Sequence, residues 1–336
     1  MGHTNCLDSN GRHRLLSTEV IQKDALDVDF SESYQRRIFK MAITGPVVVR
    51  AADGTQWQAS HREAEIGAVS TRPSTLFGFA DKEAGISLRA SYRTSIRDFH
   101  SPRHKHTFDQ VRYILSGAVK YGREVYGPET CLYLPEGVSY GPMQSYEDSV
   151  RTSVGLQFPG PSRIPYPTSA DIARAREELS KLGKFEKGIF AWSDGRKQDS
   201  FEAIAERLMG EELAYPAPRY KDYVVMNAEN YAWQPLADTS GAFVKHLGYF
   251  NEVGPNIKIM RMEPGASTNP GISSCQQIRF IVEGEVSYEG QTYNAVSCMY
   301  FPADKPYSAT MTSRGAKLFI VQLASPAGEA PPYCAI

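Results

Sequence analysis

The sequence predicts an all-β protein made of two related antiparallel barrels that a short helical segment joins. Three observations support this prediction: the chain repeats itself, each repeat has the rhythm of short strands, and helical periodicity is confined to the stretch between the repeats. With 336 residues the chain is long enough for two domains that each bury a core of their own.

The internal repeat has a constant offset of 167 residues and needs no gap between positions 110 and 140. Eleven residues of the first copy recur in the second. They are Gln110, Arg112, Ile114, Gly117, Val119, Tyr121, Tyr126, Cys131, Tyr133, Pro135 and Tyr140, which match Gln277, Arg279, Ile281, Gly284, Val286, Tyr288, Tyr293, Cys298, Tyr300, Pro302 and Tyr307. A repeat of this length predicts two copies of one domain.

Each repeat has the strand-forming residues and the regularly spaced turn residues of an antiparallel β domain. The stretch FDQVRYILSGAVKYGREVYGPETCLYLPEG has runs of Val, Ile, Tyr and Leu that Gly or Pro interrupts every eight to ten residues. This spacing predicts a sandwich or small barrel. Strand alternation places Gln110, Arg112 and Ile114 on one face, and one face of a closed barrel lines its interior.

Two short helices are predicted between the repeats. SADIARAREELSKLGK begins at Ser169 as a helix N-cap and ends at Gly183, whereas DSFEAIAERLMG begins at Asp199 and ends at Gly210. Apolar residues at helical spacing form one stripe on each helix. The stripes are Ile172, Leu179 and Leu182 in the first helix and Phe201, Ile204 and Leu208 in the second.

Composition and charge exclude several classes of partner. The net charge of −1 and the scattered basic residues predict no binding to nucleic acid or to a membrane surface. The apolar runs are shorter than a membrane span requires. The five cysteines form no CxxC pair, which indicates a reducing compartment, and we expect a cytoplasmic protein. A small-molecule substrate and a homodimer are the expected partners.

The motifs of both repeats resemble those of the cupins in their two-domain form, the bicupins. His104, His106, Gln110 and Gly117 have the spacing of the first cupin motif, with Gln in place of Glu. Gly127, Pro135, Gly137 and Tyr140 have the spacing of the second, with Tyr in place of His.

The resemblance implies two cupin-type double-stranded β-helix (jelly-roll) barrels with a short helical linker. It divides the chain into an N-terminal arm at 1–45, a metal-bearing barrel at 46–160, the linker at 161–220 and a metal-free barrel at 221–336.

The histidine pair points to a divalent transition metal in the first barrel. Two imidazoles separated by one strand residue lie on the same side and reach one cation. Gln110 is a candidate third ligand, and Tyr140 is a candidate fourth ligand or a proton donor. This neutral set suits Fe(II), which is favoured, or Mn, Ni, Cu or Zn, and argues against Ca or Mg.

The second repeat leaves a structural explanation open for part of this constellation. Gly271 and Ser273 stand where the first repeat has its two histidines, so that barrel is expected to hold no metal. Gln277, Arg279 and Tyr307 persist there, and their first-repeat counterparts could therefore be scaffold. Arg112 has the same two readings, an internal structural pair or a contact for an anionic substrate group.

The resemblance to the bicupins favours an oxygenase or dioxygenase that acts on a small, apolar or aromatic organic molecule. Tyr140 and Arg112 are the candidate catalytic residues, and they would orient or protonate the bound oxygen. The alternatives are a lyase or isomerase in which the metal polarises a carbonyl while Tyr140 moves a proton, and a bicupin that binds a small molecule without catalysis.

Overall fold

The computed structural model describes residues 45–49, 71–81, 86–95, 99–147, 149–162, 164, 167, 169–186, 188–250 and 254–323. These residues contain two antiparallel barrels and a small helical module, so the predicted all-β architecture with a helical linker is confirmed. The predicted arm at 1–45 lies outside the described residues except for Gly45.

The first barrel, barrel 1 hereafter, consists of two sheets. Its strands are β2 (Thr71–Asp81), β3 (Ile86–Ser95), β4 (His100–Ser101), β5 (Phe108–Ser116), β6 (Val119–Tyr121), β7 (Glu124–Tyr126), β8 (Thr130–Leu134), β9 (Met143–Ser145) and β10 (Thr152–Pro159). Together with β14 (Val224–Asn227), one sheet has the order β14-β8-β5-β10-β3-β2, and the other has the order β4-β9-β6-β7.

The linker contains two helices and a small sheet. Helix α1 spans Ser169–Leu179 and α2 spans Ser200–Met209, while β11 (Gly183–Glu186), β12 (Ile189–Trp192) and β13 (Lys197–Asp199) form a three-stranded sheet between them. The sheet was not predicted, and Gly183 begins β11 rather than ending α1. Leu182 lies beyond the helix and is exposed, whereas Ile172 and Leu179 are buried as predicted. In the described part of the chain, neither helix is long and apolar enough to cross a membrane.

The second barrel, barrel 2, is built around one large sheet. It comprises β15 (Gln234–Pro235), β16 (Ala242–Tyr249), β17 (Asn256–Met262), β18 (Gly271–Ile272), β19 (Gln277–Tyr288), β20 (Gln291–Asn294), β21 (Cys298–Phe301), β22 (Pro306–Tyr307), β23 (Thr310–Met311) and β24 (Ala316–Gln322). Together with β1 (Val47–Val49), the large sheet has the order β1-β21-β19-β24-β17-β16-β15. β20 and β23 pair with β19, and β18 pairs with β22.

The repeat seen in the sequence is also a repeat of hydrogen-bond register. In barrel 1, Gln110 pairs with Leu134 and Arg112 pairs with Leu132 across β5 and β8. In barrel 2, the residues 167 positions later make the same pairs across β19 and β21, where Gln277 faces Phe301 and Arg279 faces Met299. The equivalence drawn from sequence therefore holds residue by residue in this pair of strands.

Each barrel receives one strand from the opposite half of the chain. β14 (Val224–Asn227) follows the linker and lies in the predicted range of barrel 2, but it pairs with β8 of barrel 1. β1 (Val47–Val49) lies in the predicted range of barrel 1, but it pairs with β21 of barrel 2. These two strands therefore pair outside the ranges in which they lie, because edge pairing depends on neighbours in space and not on position in the chain.

The largest apolar core lies between the two barrels. The face of β5 that points away from the interior of barrel 1 carries Val111 and Tyr113, and both are buried against residues of barrel 2. Tyr113 stacks on Phe319 at a centroid distance of 4.6 Å and an interplanar angle of 5°. Cys131 and Cys298 are both in this cluster as free thiols. The alternate strand face is therefore available for chemistry in the barrel interior.

Replacing Gly117 with alanine is expected to destabilise the fold by more than about 2 kcal/mol. Gly117 has φ +68°, and an added Cβ would lie 2.3 Å from the carbonyl oxygen of Val150. Gly122→Ala is the matched control, since Gly122 has φ +60° but open space around it. Urea unfolding of both variants measures the difference, and equal losses would contradict the role of the backbone contact.

Replacing Asp199 with alanine is expected to lower the free energy of unfolding by about 1 kcal/mol, because its carboxylate caps α2 by accepting from the backbone N–H groups of Phe201 and Glu202. Asp199→Asn keeps an acceptor and should cost less. Burial raises the pKa of Asp199 from 3.8 to about 6.

When folding raises the pKa of a carboxyl, the free energy of unfolding of the protein falls as the pH rises through that range. Wild-type protein should therefore lose stability relative to Asp199→Asn between about pH 4 and 6. Unfolding curves across this range measure the effect, and parallel pH profiles of the two proteins would contradict it.

Candidate metal centre

The candidate site lies where the two cupin-like motifs of barrel 1 meet. His104 and Tyr140 form an isolated antiparallel bridge, with His104 N donating to Tyr140 O at 3.1 Å and Tyr140 N donating to His104 O at 2.9 Å. The side chains of paired residues project to the same side of a sheet. The backbone therefore brings the first motif's imidazole against the second motif's phenol.

His104 is held in one tautomer by the backbone. Its Nδ1 lies 2.7 Å from the carbonyl oxygen of Pro102, which only accepts, so the proton resides on Nδ1. The lone pair of Nε2 then faces the Tyr140 hydroxyl at 3.0 Å. Burial lowers the pKa of His104 to about 4, so the ring is neutral near neutral pH and its Nε2 is available as a ligand or base.

His106 is enclosed by aromatic rings. It stacks on Phe108 at a centroid distance of 4.5 Å and meets the edge of Phe201 at 5.1 Å. Burial above all, and then the charges of His104 and Arg112, holds the pKa of His106 well below its usual value. Its Nδ1 is buried and makes no hydrogen bond within the described part of the chain. A buried ring nitrogen without a partner is the atom that a cation or ligand would satisfy.

Tyr140 is the hub of the polar network. Its hydroxyl accepts from Gln110 Nε2 at 2.9 Å and from Arg112 at 3.2 Å, and it donates to His104 Nε2. Burial raises the pKa of Tyr140, and Arg112 and Gln110 offset part of this increase. The phenol is therefore protonated at neutral pH. The Tyr140 hydroxyl and His104 Nε2 lie 3.0 Å apart, so the two atoms would be able to hold one ion together. Tyr140 can therefore serve as a proton donor or as a ligand from one position.

Gln110 presents its amide nitrogen, not its oxygen, to Tyr140. Its Oε1 accepts from Arg112 at 2.9 Å and from Gln157 at 3.4 Å. Arg112 has only donors, so it fixes this amide orientation. Ligation by Gln110 would require the amide to rotate and Arg112 to lose its acceptor. The arrangement favours a positioning role for Gln110, and its ligation of a metal stays a prediction.

The histidine pair fits a divalent transition metal, with few protein ligands. Within the described residues, no group of three or more His, Cys, Asp or Glu side chains is placed to hold a metal ion. The ring centroids of His104 and His106 are 4.9 Å apart, and Tyr140 adds one oxygen donor. A centre of two neutral imidazoles and one phenol leaves coordination positions for substrate, and such nitrogen donors suit transition metals.

Barrel 2 preserves the scaffold of this site without its imidazoles. Arg279 donates from Nε and from a terminal nitrogen to Gln277 Oε1 at 3.3 and 2.9 Å. Gly271 pairs with Tyr307, as His104 pairs with Tyr140, and a Cβ on Gly271 would lie 2.9 Å from the Tyr307 hydroxyl. The phenol thus lies close to the position that a side chain at residue 271 would occupy. The Gln–Arg pair is common to both barrels and the imidazole pair is specific to barrel 1.

The two interiors also differ in accessibility. In barrel 1, His104, His106 and Arg112 are partly exposed residues, whereas Gln110 and Tyr140 are buried. In barrel 2, Arg279 and Gln277 are each 1% exposed. At the position of this arginine, barrel 1 is therefore open and barrel 2 is closed.

Several residues of the site were not singled out from the sequence. Phe201 comes from α2 of the linker and covers His106, while Tyr121 accepts from Arg112 at 2.7 Å. Lys105, between the histidines, lies 3.9 Å above the Tyr215 ring. The linker therefore forms one wall of the site. In the sequence, only the apolar stripe of α2 indicated this role. Such a stripe predicts that one face of the helix is buried, but it does not predict which part of the protein covers that face.

Comparison with solved structures agrees with this architecture. The chain is similar to a "putative dioxygenase" from Nostoc punctiforme (TM-score 0.51, 15% identity, 75% of this chain and 74% of that chain). It is also similar to a "putative glyoxylate induced protein" from Pseudomonas aeruginosa (TM-score 0.51, 12% identity, 85% and 90%). No family model and no curated protein matches the chain. At identities this low, the structural similarity shows the fold alone, and that fold is the two-barrel cupin fold.

Proposed function

We propose that this chain is a metal-dependent cupin enzyme whose single metal centre is in barrel 1, and that it is an oxygenase acting on a small organic substrate. The observation that carries the proposal is the pair of neutral, partly exposed imidazoles at 104 and 106 in barrel 1, which has no counterpart in barrel 2. Neutral, partly accessible imidazoles are what metal binding requires.

The ligands assigned to the metal are His104, His106 and Tyr140, with Fe(II) favoured and Mn, Ni, Cu or Zn as the alternatives. When bound, such an ion supplies a Lewis-acidic and redox-active centre with open positions. Phe108 and Phe201 keep water from one side of His106. The similarity to a "putative dioxygenase" is consistent with an oxygenase and is a likeness of fold.

The residues around the metal are arranged to hold and move one proton. Tyr140 donates to His104 Nε2 when no ion is present, and two donors, Gln110 and Arg112, face its oxygen. These donors would stabilise the phenolate that forms if Tyr140 gives its proton away. The pocket therefore combines a proton donor with the means to stabilise its conjugate base.

This proton-donating arrangement favours a second candidate function, a lyase or isomerase. In such an enzyme the metal would polarise a carbonyl or hydroxyl of the substrate, and Tyr140 would carry the proton. The ligand set supports this candidate because, within the described residues, neutral side chains leave the positive charge of the metal uncompensated by protein.

Elemental analysis of the protein loaded separately with each candidate metal tests metal dependence. One equivalent per chain is the expected result, and no stoichiometric binding of any of the five ions would overturn the proposal. Oxygen consumption during turnover by the loaded protein separates the two enzymes. Uptake coupled to product formation supports the oxygenase, whereas turnover at the same rate without oxygen supports the lyase or isomerase.

A further inference from the structure

Within the described residues, the interior of barrel 1 contains two guanidinium groups that no carboxylate neutralises. In the described structure, neither Arg112 nor Arg151 makes a hydrogen bond or ion pair with an acidic side chain. The Nε atoms of both are buried and make no hydrogen bond. Arg151 is 4% exposed, whereas Arg112 is partly accessible.

Both guanidinium groups face the same interior. Arg112 donates to the Tyr121 hydroxyl at 2.7 Å, and Arg151 lies 5.2 Å from the centroid of Phe99. Phe99 and Tyr121 belong to one apolar cluster together with Tyr140. Burial lowers the pKa of Arg151 to about 10, and the charge of Arg112 adds to the effect. Both groups therefore remain charged at neutral pH.

Arg151 is specific to barrel 1, like the histidine pair. A Cβ on Gly117 would meet the carbonyl of Val150 and the Cα of Arg151, and a Cβ on Gly284 would meet the carbonyl of Gly315 and the Cα of Ala316. Gly284 is the repeat of Gly117, so Ala316 is the structural counterpart of Arg151. The repeated scaffold does not need an arginine at this position, and the open barrel has one.

Enclosing two positive charges in one barrel interior costs solvation free energy unless an anion compensates them. Phenol and amide groups solvate Arg112 without cancelling its charge, and the neutral ligands would leave a bound metal at its full charge. A guanidinium that ligands can reach matches the planar geometry of a carboxylate.

We propose that the ligand of barrel 1 is a small organic carboxylate whose anionic group binds Arg112, with Arg151 supplying a second positive charge. Turnover of such a carboxylate rests on the proposed function, whereas its binding to the two arginines does not. The carboxylate deepens the expectation of an apolar or aromatic substrate by adding one anionic group.

Isothermal titration of metal-depleted protein tests this binding without any catalysis. The probes are benzoate and acetate, with benzamide and acetamide as neutral molecules of the same shape. We expect a carboxylate to bind and to raise the melting temperature while its amide does neither. Equal affinity for a carboxylate and its amide, or binding of neither carboxylate, would overturn the proposal.

Variants of Arg151 separate charge from packing. Arg151→Met preserves contact with Phe99 and should weaken carboxylate binding about tenfold or more, whereas Arg151→Lys should retain most of it. Arg279→Met is the matched control in the closed barrel and should leave the affinity unchanged. Carboxylate affinity that is unchanged in both Arg151→Met and Arg112→Met would overturn the assignment.

The outcomes keep the two proposals distinguishable. Protein that binds benzoate but never a stoichiometric metal sustains the anion site and overturns the metal-dependent enzyme. Protein that binds metal but not carboxylate, with its metal present or removed, sustains the enzyme and overturns the anion site.

Discussion

Replacing His104 and His106 together with alanine is expected to abolish stoichiometric metal binding, with a loss of affinity of more than about 100-fold. The remaining candidates cannot compensate for this loss. Tyr140 is a single neutral oxygen donor, and Gln110 directs its oxygen to Arg112. The measurement is metal content after loading and dialysis, followed by competition with a chelator of known affinity.

The matched control for this experiment is His246→Ala. His246 is an exposed imidazole on β16 of barrel 2, so its removal tests whether any histidine contributes. Circular dichroism of each variant shows whether the barrels remain folded. One equivalent of metal retained by the folded double variant would contradict the assignment of the centre to this pair.

Replacing Tyr140 with phenylalanine is expected to have the second largest effect. The substitution removes the acceptor of Gln110 Nε2 and one acceptor of Arg112, and it leaves His104 Nε2 without its donor. Unsatisfied buried groups of this kind cost about 1–3 kcal/mol, which urea unfolding of the metal-free protein measures. If Tyr140 is the proton donor, turnover should fall by about 10²–10⁴-fold.

The metal affinity of Tyr140→Phe distinguishes the two roles open to the phenol. An unchanged affinity with lost turnover identifies a proton donor, and a reduced affinity identifies a ligand. Tyr307→Phe in barrel 2 is the matched control, because it removes the equivalent phenol from a site without imidazoles. An equal loss of turnover in both variants would show that the phenols are scaffold and would contradict either catalytic role.

These predictions bear on why the chain contains the same domain twice. Barrel 2 retains the glutamine and arginine of the site in a closed interior, and its outer face packs against barrel 1 through the shared core. The strand β1 pairs with barrel 2, and β14 pairs with barrel 1. The closed barrel therefore supports the open one, and removal of either half of the chain would take a strand from the other.

The repeat and the strand register could be predicted from the sequence because both depend on local order along the chain. A constant offset without gaps places Gln110 and Gln277 at equivalent pairs, and the alternation of side chains puts Gln110 and Arg112 on one face. The cap at Asp199 is equally local, since its acceptors lie two and three residues away. The three-stranded sheet of the linker was missed because its short strands carry little alternating pattern.

Contacts between distant segments could not be predicted in this way. Which amide atom Gln110 turns to Tyr140 depends on Arg112 and on Gln157 of another strand. The cover that Phe201 gives to His106 depends on where the linker docks.

The sequence by itself determined that there are two copies of one barrel and that only one has the pair of imidazoles in its first motif. Tertiary structure decided which barrel is open at its arginine, which polar groups pair and which positive charges have no acidic partner among the described residues. The reason is that burial and pairing are properties of the packed interior and not of the order of residues.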